Sequence, residues 1–86
     1  MPQVFYTPGF VRLMQDLPPD LQREALEKIA LFKENPRHPL LRTHKLKGRL
    51  KNRWSFSVNY RFRIVFCYDR PDMAALLAVG DHDVYQ

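Results

Sequence analysis

Eighty-six residues, 45% hydrophobic and 13% aromatic, suffice for one small packed core and are too apolar for a disordered chain, so a single domain over 1–86 is expected. No apolar run approaches the ~20 residues of a membrane span, residues 1–6 lack the basic and apolar regions of a signal peptide, and Cys67 is the single cysteine. A membrane protein, a secreted disulfide scaffold and a zinc–thiolate domain are thereby excluded, and a cytoplasmic protein with a net charge of +5 is expected.

Gln3-Val4-Phe5-Tyr6 is short and β-prone, as in an edge strand. Thr7-Pro8 supplies a helix N-cap followed by proline at the first helical position, and Phe10, Leu13, Met14 and Leu17 then recur on one helical face. Leu17-Pro18-Pro19 ends that helix, because a residue before proline avoids the α region. A second helix starts at Pro19, with Asp20 and Glu24 near its positive end. Its buried face is Leu21, Ala25, Ile29 and Phe32, widened by Leu26 and Ala30, and Asn35-Pro36 stops it. The short connector predicts an αα-hairpin.

Residues 36–44 carry two prolines and predict a loop. Beyond it the period switches to two: loosely over Lys45–Lys51, cleanly over Trp54–Val58 and Tyr60–Tyr68. Met73–Val79 is almost wholly apolar, which predicts an interior strand, and Gly80 ends it. A three-residue loop between the two clean strands pairs Val58 with Phe62, Phe56 with Ile64 and Trp54 with Phe66. A two-residue loop would instead set Val58 and Phe56 opposite Arg61 and Arg63, so the hydrophobic pattern selects the first register. Ser55, Ser57, Arg61 and Arg63 then occupy an open face that can grip phosphate. The order predicts an α+β fold, an N-terminal helical hairpin packed on one face of a four- to five-stranded, mostly antiparallel sheet.

The charge is unevenly spread. Between Asn35 and Tyr68 lie Arg37, Arg42, Lys45, Lys47, Arg49, Lys51, Arg53, Arg61 and Arg63, with no Asp or Glu, while all nine acids lie outside that stretch. Such a segment predicts a polyanion-binding surface, with Lys45, Lys47, Arg49, Lys51, Arg53 and Arg61 as RNA contacts. Glycine-rich phosphate loops and nucleophile elbows are absent, and His38, His44 and His82 lack metal-ligand spacing, so neither cofactor nor metal is expected. RNA cleavage needs neither, because the ribose 2′-OH is the nucleophile. Histidine is the usual proton carrier near neutral pH, arginine and lysine stabilise the extra charge at phosphorus, and tyrosine orients a group or stacks on a base. His44, Lys45, Lys47, Arg61, Arg63, His82 and Tyr85 are the candidates; for Tyr85 stacking and a hydrophobic clip for the tail remain equal alternatives.

Leu-Arg-Thr-His-Lys-Leu-Lys-Gly (41–48), Trp-Ser-Phe-Ser-Val-Asn-Tyr-Arg-Phe-Arg-Ile-Val-Phe (54–66) and Val-Gly-Asp-His-Asp-Val-Tyr (79–85) resemble the RelE/ParE toxin superfamily, most nearly its RelE/StbE and YafQ-like branch. The resemblance spans nearly the whole chain. It implies a microbial-RNase-like α+β fold, ribosome-dependent cleavage of mRNA with contacts to 16S rRNA, and neutralisation by a cognate antitoxin. By position, His44 matches the histidine before the Leu-x-Gly motif of YafQ-like toxins, and His82 their histidine after the glycine of the last strand. Arg63 matches the arginine of the RelE-type Arg-Leu-Val-Tyr strand, and Tyr85 the tyrosine of the closing Val-Tyr. The resemblance therefore implies His44, Arg63, His82 and Tyr85 as catalytic. The chain departs from the pattern at Ser57 and Arg61, where YafQ-like toxins carry a histidine and an acid, and at Trp54 and Phe56, where RelE-like toxins carry lysines. Its His82-to-Tyr85 spacing is shorter than the RelE counterpart, and no C-terminal helix is expected after Tyr85. Two other readings of the same residues are a ParE-like DNA gyrase inhibitor and a basic RNA- or antitoxin-binding domain without activity.

Overall fold

The computed structural model describes residues 2–48 and 52–81. Strand β1 (Gln3–Tyr6) is followed by helices α1 (Pro8–Gln15) and α2 (Pro19–Glu34), a 3-10 turn (Pro39–Leu41), and strands β2 (His44–Lys45), β3 (Trp54–Ser57), β4 (Arg63–Arg70) and β5 (Met73–Gly80). The strands form one sheet in the order β1-β5-β4-β3-β2. Only β1 and β5 run parallel; the other pairs are antiparallel. The α+β architecture expected from the sequence is the one observed.

Thr7 explains how the first helix is hung on the sheet. Its hydroxyl accepts from the Phe10 amide at 3.2 Å, the N-cap bond, and donates to the Leu76 carbonyl in β5 at 2.7 Å. Phe10 is thereby seated in the core with Ala25, Ile29 and Phe32 from α2, Leu41 from the 3-10 turn, and Phe56, Ile64, Phe66, Ala74 and Leu76 from the sheet. Phe32 stacks on Phe56 at 4.7 Å and meets Phe66 edge-on at 4.9 Å, so one α2 residue locks the helix over the β3–β4 pair. Trp54↔Phe66 and Phe56↔Ile64 are the pairs that hydrophobic matching selects.

Four sequence expectations change. Leu13, Leu26 and Ala30 are exposed rather than part of the buried stripes, which narrow to Phe10 in α1 and to Ala25, Ile29 and Phe32 in α2. Leu26 instead joins Tyr6, Phe10, Val11 and Met14 along a shallow apolar groove between the helices. Of the strand expected over Lys45–Lys51, the described residues form strand only at His44–Lys45, with left-handed backbone following at Gly48 (φ 77°); residues 49–51 lie outside the described residues. The strand expected from Tyr60 starts at Arg63, because the Asn59 side chain takes the Arg61 and Phe62 amides at 2.9 and 2.8 Å and removes them from the ladder. Finally, Ser55 and Ser57 lie on the face away from the helices, as expected, yet both are buried: their short side chains form the floor of that face with Val65.

Candidate functional site

Register decides which side chains share a face. His44, Ser55, Val65 and Ala78 lie in one row across β2, β3, β4 and β5, and Ser57, Arg63 and Gly80 in the row two residues on. Directly opposed residues, and residues two apart, point to the same side of a sheet. His44 and Arg63 therefore share the face away from the helices, with Cα atoms roughly 12 Å apart by strand geometry. Gly80, the last residue of β5, is paired with Arg63.

The His44 imidazole has a defined tautomer. Its Nδ1 lies 2.9 Å from the Arg42 carbonyl, which only accepts, so Nδ1 carries the proton in the neutral ring and Nε2 holds the lone pair. Arg42 ends the 3-10 turn in left-handed backbone, φ 49° and ψ 42°, and this bend is what sets its carbonyl under the imidazole two residues on.

Arg63 is half-buried and held by its own turn. Its Nη1 donates to the Asn59 carbonyl and to the Phe62 carbonyl, the latter at 3.1 Å. The turn is in turn tied to α2: Lys28 Nζ donates to the Val58 carbonyl at 3.0 Å, and Asn59 Nδ2 donates to Glu24 Oε1 at 2.8 Å. Around this turn opens a cleft of about 360 Å³ whose lining includes Glu24, Lys28, Leu40, Arg42, Ser57, Tyr60 and Arg63. Three cations face one acid there, an arrangement that favours an anion, with Arg42 and Arg63 as fork-shaped donors. Two residues on from Arg42, Nε2 of His44 offers a proton acceptor.

The other expected site residues are spread more widely. Arg61 sits at the exposed tip of the turn, its guanidinium 5.8 Å from the Phe62 ring centre, and not on the sheet face expected for it. Lys45 is paired with Trp54 and so belongs to the helix side of the sheet edge. Lys47 is exposed in the turn after β2, and Arg53, half-buried just before β3, accepts from the Leu46 amide at 2.8 Å through its carbonyl. Lys45 and Lys47 line a second depression of about 650 Å³ with Leu46, Gly48 and Asn52. Arg49, Lys51, His82 and Tyr85 lie outside the described residues. Arg42, Lys28 and Asn59 are site residues that sequence reasoning missed. Arg42 was visible only as one charge in a run, and the spacing of Lys28 and Asn59, thirty or more residues apart, carries no local signal.

No protein-family model matches the chain, and no curated protein sequence does. Solved structures do. The RelBE2 toxin–antitoxin complex from Mycobacterium tuberculosis aligns over 94% of this chain and 99% of that one, at TM-score 0.78 and 19% identity. YafQ from Escherichia coli BL21(DE3) aligns over 99% and 98%, at 0.79 and 11%. An archaeal RelE–RelB complex from Pyrococcus horikoshii OT3 aligns over 93% of each chain, at 0.73 and 18%. The chain has the RelE toxin fold. Within this RelE-like fold Arg42 and Arg63 meet at the end of the sheet where the β3–β4 turn approaches the 3-10 turn, and His44 lies one row further along the same sheet face as Arg63. No described helix is long and apolar enough to cross a membrane.

Proposed function

We propose that this chain is the toxin of a type II toxin–antitoxin module, a ribosome-dependent endoribonuclease that cuts mRNA in the cytoplasm, with residues 1–86 as its single domain. The observation that carries the proposal is the pair of guanidinium groups, Arg42 and Arg63, that line one cleft, with the His44 imidazole, its Nε2 available as base, on the same sheet face as Arg63. In this mechanism Nε2 of His44 removes the ribose 2′-OH proton as the 2′-oxygen attacks the adjacent phosphorus. Arg42 and Arg63 stabilise the charge that builds on the non-bridging oxygens. The P–O5′ bond breaks, the departing oxygen takes a proton from an acid, and the products are a 2′,3′-cyclic phosphate and a 5′-hydroxyl. His82 is the proposed acid and Tyr85 the proposed orienting or stacking group, both carried by the family resemblance. Lys45, Lys47, Arg49, Lys51, Arg53 and Arg61 supply phosphate contacts to mRNA and 16S rRNA.

The RelE-type neighbours in complex with their antitoxins support a cognate antitoxin as partner. Induced expression tests the reading: it predicts growth arrest, relief by a co-expressed antitoxin, and relief by His44→Ala with Arg63→Ala. Undiminished arrest by that double variant, or arrest accompanied by loss of gyrase supercoiling with intact mRNA, would overturn it.

A further inference from the structure

The cleft at the β3–β4 turn contains more than charge. Tyr60, at the turn, is 86% exposed, and Leu40, on the 3-10 turn, is 63% exposed; they are the most exposed large apolar side chains among the described residues, and both line this cleft. Neither is needed to hold the turn, which Asn59, Lys28 and Arg63 already fix through hydrogen bonds. An aromatic ring kept in water beside two arginines offers a face on which a base can stack while its phosphate meets the guanidinium groups.

We infer that this cleft is a subsite for one nucleotide of a single-stranded RNA, its base stacked on Tyr60 with Leu40 as a second apolar wall, and its phosphate held by Arg42 and Arg63. The inference rests on the proposed action on RNA and adds to it a place for a base. The volume, about 360 Å³, falls within the range of small-ligand sites, about 300–1,000 Å³. Every base has a π-face, so Tyr60 would hold purines and pyrimidines alike. Lys28 adds a third positive charge. Glu24, the one acid, accepts from Asn59 Nδ2 and stands at the α2 end of the lining. Because Arg42 and Arg63 are also the groups proposed to hold the scissile phosphate, the nucleotide on Tyr60 would be the one that carries that phosphate on its 5′ side.

The test uses the full chain and a short single-stranded RNA that carries 2-aminopurine and is 2′-O-methylated against cleavage. Stacking on a tyrosine ring quenches 2-aminopurine. Quenching is expected with the wild-type chain and Tyr60→Phe, and is lost in Tyr60→Ala, with binding weaker by on the order of 10-fold. The slope of affinity against salt stays unchanged in Tyr60→Ala and falls in Arg63→Ala, which removes a phosphate contact. Equal quenching and affinity in Tyr60→Ala would overturn the subsite, including the case in which a protein partner covers this ring. The two proposals fail separately. Quenching without ribosomal cleavage removes the nuclease and keeps the base site; cleavage with Tyr60→Ala binding like wild type removes the base site alone.

Discussion

At Arg42 a side chain with a Cβ occupies left-handed backbone, a conformation that costs a non-glycine residue roughly 1–3 kcal/mol. Glycine adopts it freely but loses more entropy on folding. Arg42→Gly keeps the carbonyl that orients His44 and removes the whole side chain, the guanidinium together with the Cβ that makes this backbone costly. The expected outcome is a gain of about 0.5 kcal/mol, a Tm higher by about 2–4 °C, together with cleavage slower by 10-fold or more; melting curves and single-turnover rates check the two halves. A loss of activity with no gain in Tm would mean that the arginine relieves its own strain. Tyr68 offers a second test at this scale. Its ring packs edge-on against Trp54 and Phe66, and burial pushes its hydroxyl above the ordinary value of 10.0, partly offset by the positive charge of Arg37. A raised phenol favours the neutral form in the folded state. Its contribution is complete below pH 10 and is lost as pH rises through the folded value. Melting temperatures measured from pH 9 to pH 11 should therefore fall more steeply for the wild-type chain than for Tyr68→Phe.

The turn between β3 and β4 shows how far local sequence carries at the level of elements. Its register is legible, because only a three-residue loop lets Trp54 and Phe56 meet Phe66 and Ile64. The start of β4 is not legible. Nothing in the alternation of Tyr60 to Tyr68 reveals that Asn59 has claimed two amides with one side-chain oxygen. The helix hairpin is legible from Thr7, Pro8 and the paired prolines, since caps and breakers act within a few residues. The width of a buried stripe is not, since it depends on the angle at which the helix meets the sheet, and so Leu13 and Leu26 are exposed. In the site, His44 and Arg63 are legible through residue type and family pattern. That Arg42 and Arg63 line one cleft, and that Glu24 and Lys28 hold its turn, arises only when α2 and the 3-10 turn are laid against that turn. Asn59→Ala removes both amide bonds and the bond to Glu24, and is expected to cost about 2 kcal/mol, or roughly 8–16 °C in Tm. Because Arg63 leans on the Asn59 and Phe62 carbonyls, that variant should also lose cleavage at temperatures where it is fully folded, as circular dichroism and rate measurements would show.

Across the whole molecule, the acid-free run does not produce one flat basic face. Arg63 and His44 lie on the side away from the helices, Lys45 belongs to the helix side beside Trp54 at the start of β3, and Arg61 projects from the turn beyond its other end, so positive charge runs along the sheet edge from the β2–β3 connection to the end with the β3–β4 turn. That end carries the cleft, and it suits a nucleic acid strand passing over the edge of the fold rather than one laid across a plane. The α+β scaffold shared with the RelE and YafQ structures at 11–19% identity shows that the framework tolerates wide exchange of side chains, so the chemistry must be decided on this chain's own residues. The most direct measurement is end-mapping of an mRNA incubated with ribosomes and the purified chain, with and without a 2′-deoxy substitution at the cut position. The proposed mechanism predicts ribosome-dependent cuts ending in 2′,3′-cyclic phosphate, abolished by the 2′-deoxy substitution and reduced on the order of 100-fold or more by His44→Ala or Arg63→Ala. Cuts that survive the 2′-deoxy substitution, or an mRNA left intact by a chain that still arrests growth, would contradict it.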